Sequence, residues 1–267
     1  MKSSRLVRRS FGVVRAAVTA SVPTVLLLLL FVLVSQTARA QSTIFNIPST
    51  DTVAKGKGYF EFDYLPQAPG PDSGASTQIF NPRVVIGLKN AEFGVNVPIY
   101  HNGDTDPTSL SYLQPNLKVK FYNDDAKGVA AAAGIISNFP LNRTADQLPF
   151  ALLYGNVSKK VGKAGPRFTI GPYGVIAKQD DPNKVTFAGT RGGVMLGYEQ
   201  PIAGRLSFVA DWFSGENSVG YFTPGISISL PHNGLFNAGY SIGNDSWADS
   251  NATKNRYAFF YYGVTFP

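Results

Sequence analysis

The chain has 267 residues and no cysteine, with 24 Lys and Arg against 17 Asp and Glu. Without cysteine there is neither a disulfide framework nor thiolate chemistry, catalytic or metal-binding. Six of the basic residues and none of the acids fall in positions 1–40. Taking six from 24 leaves 18 bases against 17 acids from Gln41 onward, a net of +1, so the mature chain lacks a nucleic-acid footprint.

Residues 1–40 read as a signal peptide. Lys2, Arg5, Arg8, Arg9 and Arg15 form a basic leader, Val22 to Val34 an apolar core, and Ala38-Arg39-Ala40 a small-x-small cleavage site. An uncleaved anchor competes with this reading, since Ala16 to Val34 nearly matches the ~20 apolar residues of a spanning helix. The A-x-A site favours cleavage. Residues 41–57 then read as a short periplasmic segment. Residues 58–267 read as one transmembrane β-barrel domain, within a mature chain of 227 residues (267 less 40).

From Gly58 the chain divides into about twelve strand-like runs, and ten to fourteen fit the same breaks. Tyr59–Leu65 leads through a Pro/Gly/Ser-rich loop to Ile79–Leu88, and a Lys89-Asn90 turn gives Ala91–Tyr100. His101–Tyr112 reads as a long loop before Leu113–Tyr122, a short Asn123–Lys127 turn, and Gly128–Phe139. After Pro140–Leu148 come Pro149–Val157, a Lys-rich Ser158–Ala164 turn, and Gly165–Ala177. Lys178–Ala188 is the next long loop, followed by Gly189–Gln200, a Pro201–Gly204 turn, and Arg205–Phe213. Ser214–Ser218 leads to Val219–Leu230, a Pro231–Gly234 turn, Leu235–Ile242, and a polar loop from Gly243 to Asn255. The closing run places Ala258, Phe260, Tyr262, Val264 and Phe266 on one face. Gly, Pro, Asn and Asp at the breaks mark hairpin turns.

The connectors alternate long and short, the pattern of an all-β, up-and-down antiparallel barrel of a Gram-negative outer membrane, with both termini periplasmic. One face of the strands is apolar, as in Phe60/Phe62/Tyr64, Val84/Ile86/Leu88, Leu117/Val119/Phe121, Phe168/Ile170/Ile176 and Phe236/Ala238/Tyr240/Ile242. The opposite face carries the charges expected to line the lumen: Glu61, Asp63, Arg83, Glu92, Lys118, Lys120, Arg167, Arg191, Glu199, Arg205 and Asp211. Glu61 and Asp63 are placed to pair with Arg83, Glu92 with Lys118 and Lys120, and Glu199 and Arg191 with Arg205 and Asp211. Such a lining makes a narrow, polarised constriction or, alternatively, fills and rigidifies the lumen. Tyr100, Tyr122, Tyr154, Tyr173 and Tyr221 are expected inward, where they suit stacking on a solute, or at the membrane interface as girdle residues. A soluble barrel with its apolar face inward would show the same alternation, without explaining the aromatic closing strand.

Asp211-Trp212-Phe213-Ser214-Gly215-Glu216-Asn217-Ser218-Val219-Gly220-Tyr221-Phe222-Thr223-Pro224-Gly225, the Asn237–Tyr240 segment and the aromatic terminus resemble the phenol-degradation (MetA-pathway) family of outer-membrane proteins. The resemblance covers the last third of the chain and implies a barrel of roughly twelve strands that moves small, often hydrophobic, solutes across the outer membrane. The chain departs from the pattern by ending in Phe266-Pro267 rather than on an aromatic.

A barrel hydrolase is the enzymatic alternative. His101 with Ser109 or Ser111 and Asp104 or Asp106 are the residue types of a triad, but nothing in their spacing favours one, and the only other histidine, His232, sits in a turn. Asp104/Asp106, Asp180-Asp181 and Asp245 with Asp249 lack calcium-loop spacing. The reading is therefore a non-enzymatic outer-membrane barrel without cofactor or metal, a narrow channel for passive uptake or efflux; a non-conducting structural barrel is the runner-up. Its expected partners are outer-membrane lipid and lipopolysaccharide, the barrel-assembly machinery, and a small-molecule solute.

Overall fold

The computed structural model describes residues 42–67, 77–102, 106–142, 147–162, 164–177, 187, 189–244 and 256–267, with backbone alone at 102 and 106–109. The expected signal peptide, Asp180-Asp181, and Asp245 with Asp249 lie outside the described residues, as do the side chains of Asp104, Asp106 and Ser109.

The strands are β1 (Gly58–Pro66), β2 (Gln78–Leu88), β3 (Ala91–Asn96), β4 (Ile99–Asn102), β5 (Asp106–Asp124), β6 (Val129–Pro140), β7 (Phe150–Lys160), β8 (Arg167–Ala177), β9 (Gly192–Ala203), β10 (Leu206–Phe213), β11 (Tyr221–Ser229), β12 (Gly234–Gly243) and β13 (Arg256–Phe266). β3 and β4 are two parts of one barrel strand, since both pair with β2 on one side and β5 on the other. Pro98, which has no N–H to give the ladder, stands at the break. The strand continues across it, with Val97 N–H on the Pro82 carbonyl at 2.9 Å and the Pro98 carbonyl accepting from Tyr112 at 3.1 Å. Counted so, twelve antiparallel strands run in meander order and β1 meets β13 to close the barrel. The closing register runs from Gly58 opposite Phe266 to Tyr64 opposite Phe260.

Turn chemistry sets the short end. Asn90 takes a left-handed backbone at φ 57° between β2 and β3, and Gly128 does so at φ 63° before β6. His232 and Asn233 both have positive φ, 55° and 66°, as both central residues of a type I′ hairpin turn must.

Two expectations change. The stretch His101–Tyr112, read as a loop, largely continues the β4–β5 hairpin, and β5 runs unbroken from Asp106. Tyr122, expected inward or at the interface, is 46% exposed on the outer wall. A bulge between Lys120 and Tyr122 in β5 inserts one residue and reverses the facing of the strand beyond it.

Elsewhere the two faces separate as the alternation predicts. Phe62, Val84, Ile86, Leu88, Phe93, Leu117, Val119, Phe168, Ile170, Leu196, Phe208, Ile226, Tyr240, Phe260 and Tyr262 are exposed around the outer wall. Their neighbours one residue along, including Val85, Glu92, Lys118, Thr169, Met195, Val209, Ser241, Phe259 and Tyr261, are buried inside. An apolar wall with a polar interior is unfavourable in water and favourable in hydrocarbon. Ile170, 55% exposed, should face lipid. Replacing it with Arg should destabilise the membrane-inserted barrel by about 2–4 kcal/mol if the position lies near mid-bilayer. Urea titration in vesicles, read by heat-modifiable gel mobility, checks this; an unchanged midpoint would contradict the outward assignment.

Candidate functional site

Of the stretch 41–57, read from sequence as a short periplasmic piece, residues 42–53 lie inside the barrel, and the exposed residues 54–57 lead to β1, with Gly56 and Lys57 bonded to Gly87. Ser42, Ile44, Phe45, Ile47, Ser49 and Thr50 are buried, and their partners belong to strands on every side of the wall. The segment turns back on itself: Ile44 N–H bonds the Ile47 carbonyl at 3.0 Å, Ser49 N–H bonds the Ser42 carbonyl at 3.0 Å, and Thr43 bridges Pro48. A small hairpin therefore plugs the lumen.

The tip is held by one carboxylate. The backbone N–H groups of Phe45, Asn46 and Ile47 all donate to Asp211 Oδ2, at 2.9, 2.5 and 2.8 Å. The Asn46 amide donates to Asp211 Oδ1 at 3.2 Å and to Thr223 at 2.7 Å. Successive N–H groups converging on an anion form a nest, here with the anion supplied by the wall. Asn237 and Asn156 complete the backbone pairing by donating to the carbonyls of Ile44 (3.2 Å) and Pro48 (2.5 Å).

Shape complements these bonds. A Cβ on Gly197 would lie 2.4 Å from Ile44 Cδ1 and 2.9 Å from Ile47 Cδ1, while Cβ atoms on Gly225 and Gly239 would meet the Phe45 ring at 2.6 and 2.8 Å. Wall glycines on β9, β11 and β12 thus make the recesses into which the plug's apolar side chains fit. Phe45 also packs edge-on against Phe259 at 5.2 Å.

The base of the plug is charged. Asp51 pairs with Arg167 and, at 3.5 Å, with Lys120. Arg167 in turn grips Glu199 through two bonds of 2.5 and 2.7 Å. Val53 N–H donates to Glu92 Oε2 at 2.8 Å, and the Ser42 hydroxyl donates to Glu92 Oε1. Lys118, 2% exposed, lies 3.0 Å from Glu92 and bonds the Ser42 carbonyl at 2.7 Å. Arg83 reaches Ser42 at 3.1 Å, Glu61 at 3.5 Å and Glu92 at 3.7 Å.

The structure therefore brings together Glu61, Asp63, Arg83, Glu92 and Lys118 in one group and Lys120, Arg167 and Glu199 in another, with Asp211 at the plug tip. The pairings differ in part from expectation. Lys120 faces Asp51 rather than Glu92, and Glu199 pairs with Arg167 because the two are directly opposite across β8 and β9. Arg205 sits in the β9–β10 turn, and Arg191 is exposed in the β8–β9 connection, where it bonds the Ala177 carbonyl at 3.1 Å. Tyr154 and Tyr173 are buried inward. Ser42, Asn46, Thr50 and Asp51 escaped the sequence reading, since a segment without periodicity gives no face. The inward parity of Gly197, Gly225 and Gly239 was the available signal.

No protein-family model and no curated protein matches the chain. Among solved structures it is similar to an outer membrane channel from Pseudomonas putida F1, with TM-score 0.54 and 12% identity over 86% of this chain and 100% of that one. Weaker likenesses are to CdiB from Escherichia coli, with TM-score 0.37 and 9% identity over 78% of this chain and 63% of that one, and to a mutant porin from Rh. blastica, with TM-score 0.34 and 8% identity over 81% and 100%. At these identities the first likeness shows a shared fold, a closed antiparallel barrel of the outer-membrane kind, and the other two carry no weight.

The Asp211 nest makes the plug testable. The chain has no cysteine, so Ile47→Cys provides a single label site. Maleimide should react slowly with it in the native barrel. Adding Asp211→Asn, which removes the charge from three backbone bonds, should speed labelling roughly ten- to hundredfold, the weight of a charge-assisted bond. Equal rates would mean that Asp211 does not hold the plug.

Proposed function

We propose that the chain is a channel of a Gram-negative outer membrane, closed at rest by its own residues 42–53 and conducting small solutes when they withdraw. The plug carries this reading: it fills the lumen, yet it is held by hydrogen bonds, ion pairs and shallow recesses rather than by strand pairing with the wall. Polar contacts of this kind exchange for water at modest net cost, so the segment leaves without opening the β-ladder. The short turns and the β1 start lie at one end, which we assign to the periplasm, and the plug enters from there.

Above the plug, toward the long connections, the inward surface is aromatic. Tyr173 packs on Phe213, Tyr221 on Tyr257, and Tyr100 on Tyr112, at centroid distances of 5.1, 6.1 and 6.1 Å. Such a vestibule suits solutes with an apolar or aromatic body, which fits the resemblance to the phenol-degradation family. No enzymatic step is assigned; lipid and lipopolysaccharide outside and the assembly machinery during insertion complete the proposed setting.

The filled lumen equally describes a structural barrel that never conducts, and planar-bilayer recording separates the two. Deleting residues 42–53, or replacing Gly197 with Leu to fill the recess for Ile44 and Ile47, should raise single-channel conductance severalfold above the wild type. Heat-modifiable mobility verifies that each variant has folded. Folded variants that remain silent would favour the structural barrel.

A further inference from the structure

One group of inward charges does not balance. Glu61, Asp63 and Glu92 present three carboxylates, while Arg83 and Lys118 present two cations. Arg83 is shared between Glu61 at 3.5 Å and Glu92 at 3.7 Å, and Lys118 is engaged by Glu92 at 3.0 Å. Among the described residues this leaves an excess of one negative charge in a region where Glu61 is 3% and Asp63 5% exposed. An uncompensated buried carboxylate is costly, and it is neutralised either by a proton or by a cationic partner.

The residues that carry oxygens without a partner are neighbours in the β1–β2 ladder. Glu61 and Asp63 stand two apart on the inward face of β1, and across the β1–β2 ladder Glu61 is opposite Arg83 and Asp63 opposite Asn81. The Asn81 amide donates to Asp63 Oδ2 at 2.8 Å, which fixes its own oxygen beside that carboxylate. Glu61 Oε2, Asp63 Oδ1 and Asn81 Oδ1 are all buried and accept no hydrogen bond. On the other flank, Asp63 is opposite Tyr261, whose hydroxyl pairs with that of Tyr59. Three acceptors from neighbouring positions, next to a tyrosine pair and short by one positive charge, form a seat for a cation.

We propose that Glu61, Asp63 and Asn81 bind a monovalent cation, with an ammonium group as the chemistry that fits best. The charge deficit is one, so a single positive charge balances it. A divalent ion would leave an excess of positive charge in the same buried place. Ammonium donates several hydrogen bonds where unpaired acceptors wait, and tyrosine rings add cation–π attraction. The site rests on the channel reading in that Asp63 and Asn81 then lie along the solute path, on the strands that carry Glu61 and Arg83, and Arg83 holds the plug residue Ser42. It gives that path a station for amines.

Calorimetric titration of the full chain, purified in zwitterionic detergent with N-methylglucamine as the background cation, tests this with methylammonium chloride and rubidium chloride as probes. One saturable site is expected, tighter for methylammonium than for rubidium. Asp63→Asn and Glu61→Gln should each weaken it at least about tenfold, the effect of losing one charge-assisted contact. Asp124→Asn, in the exposed β5–β6 turn, should leave it unchanged. Absence of saturable binding by wild-type protein of native gel mobility overturns the proposal, and so does binding that survives both lumen variants. Rubidium bound as tightly as methylammonium would place an alkali ion in the seat and remove the ammonium assignment. Conductance of the plug-deleted barrel is read separately, so a barrel that conducts without binding sinks the site alone, and one that binds without conducting sinks the channel alone.

Discussion

Closure of the backbone ladder between β1 and β13 is the constraint on which the rest depends. In hydrocarbon no water pairs with an open strand edge, so the first and last strands must meet. Seven residue pairs, from Gly58 opposite Phe266 to Tyr64 opposite Phe260, accomplish that. Once closed, the number of strands sets the interior width. Eight strands leave room that wall side chains fill, whereas sixteen or more leave an aqueous channel. Twelve strands lie between, and here the interior is filled by the chain's own N-terminal segment.

The fit of that segment divides by chemistry along the lumen. Its tip is apolar and small, set into the recesses at Gly197, Gly225 and Gly239 and tethered by backbone bonds to Asp211. Its base is ionic, tied through Asp51 to Arg167 and Lys120 and through Ser42 to Glu92, Arg83 and Lys118. Burying five of the wall charges beside the plug would cost several kcal/mol each if they were unpaired, so plug and wall stabilise one another's charges. Withdrawal of the plug admits water to the same charges. The two states then differ mainly in which polar partners these groups have, a condition under which both can be populated.

Much of the wall was legible in the sequence because a strand has a period of two and lipid tolerates no charge. β8 and β10 to β13 fall within two or three residues of the runs read from alternation alone, and the charges assigned inward from Glu61 to Lys118 are buried. The misses have local causes. Pro98 divides one strand without ending its pairing, the bulge at Lys120/Tyr122 turns Tyr122 outward, and the polar stretch from His101 to Tyr112 carries strand pairing in a composition that reads as loop. The plug was not legible. Ile44-Phe45-Asn46-Ile47-Pro48 has no amphipathic period, and its contacts with Asp211 and Asn237 span more than 160 residues. Local pattern carries no information about such pairs.

The central claim, that residues 42–53 close this lumen, is tested most directly by a reversible lock. Ile44 Cδ1 lies 2.4 Å from the place of a Cβ on Gly197, so Ile44→Cys with Gly197→Cys sets two thiols together in a chain that has no others. The side chain added at Gly197 crowds the recess and loosens the plug, as leucine does there, so single-channel recording of this variant should show a silent channel while the disulfide holds the plug and current once it is reduced. Equal current in the oxidised and reduced states, with the disulfide verified by mass, would contradict the account.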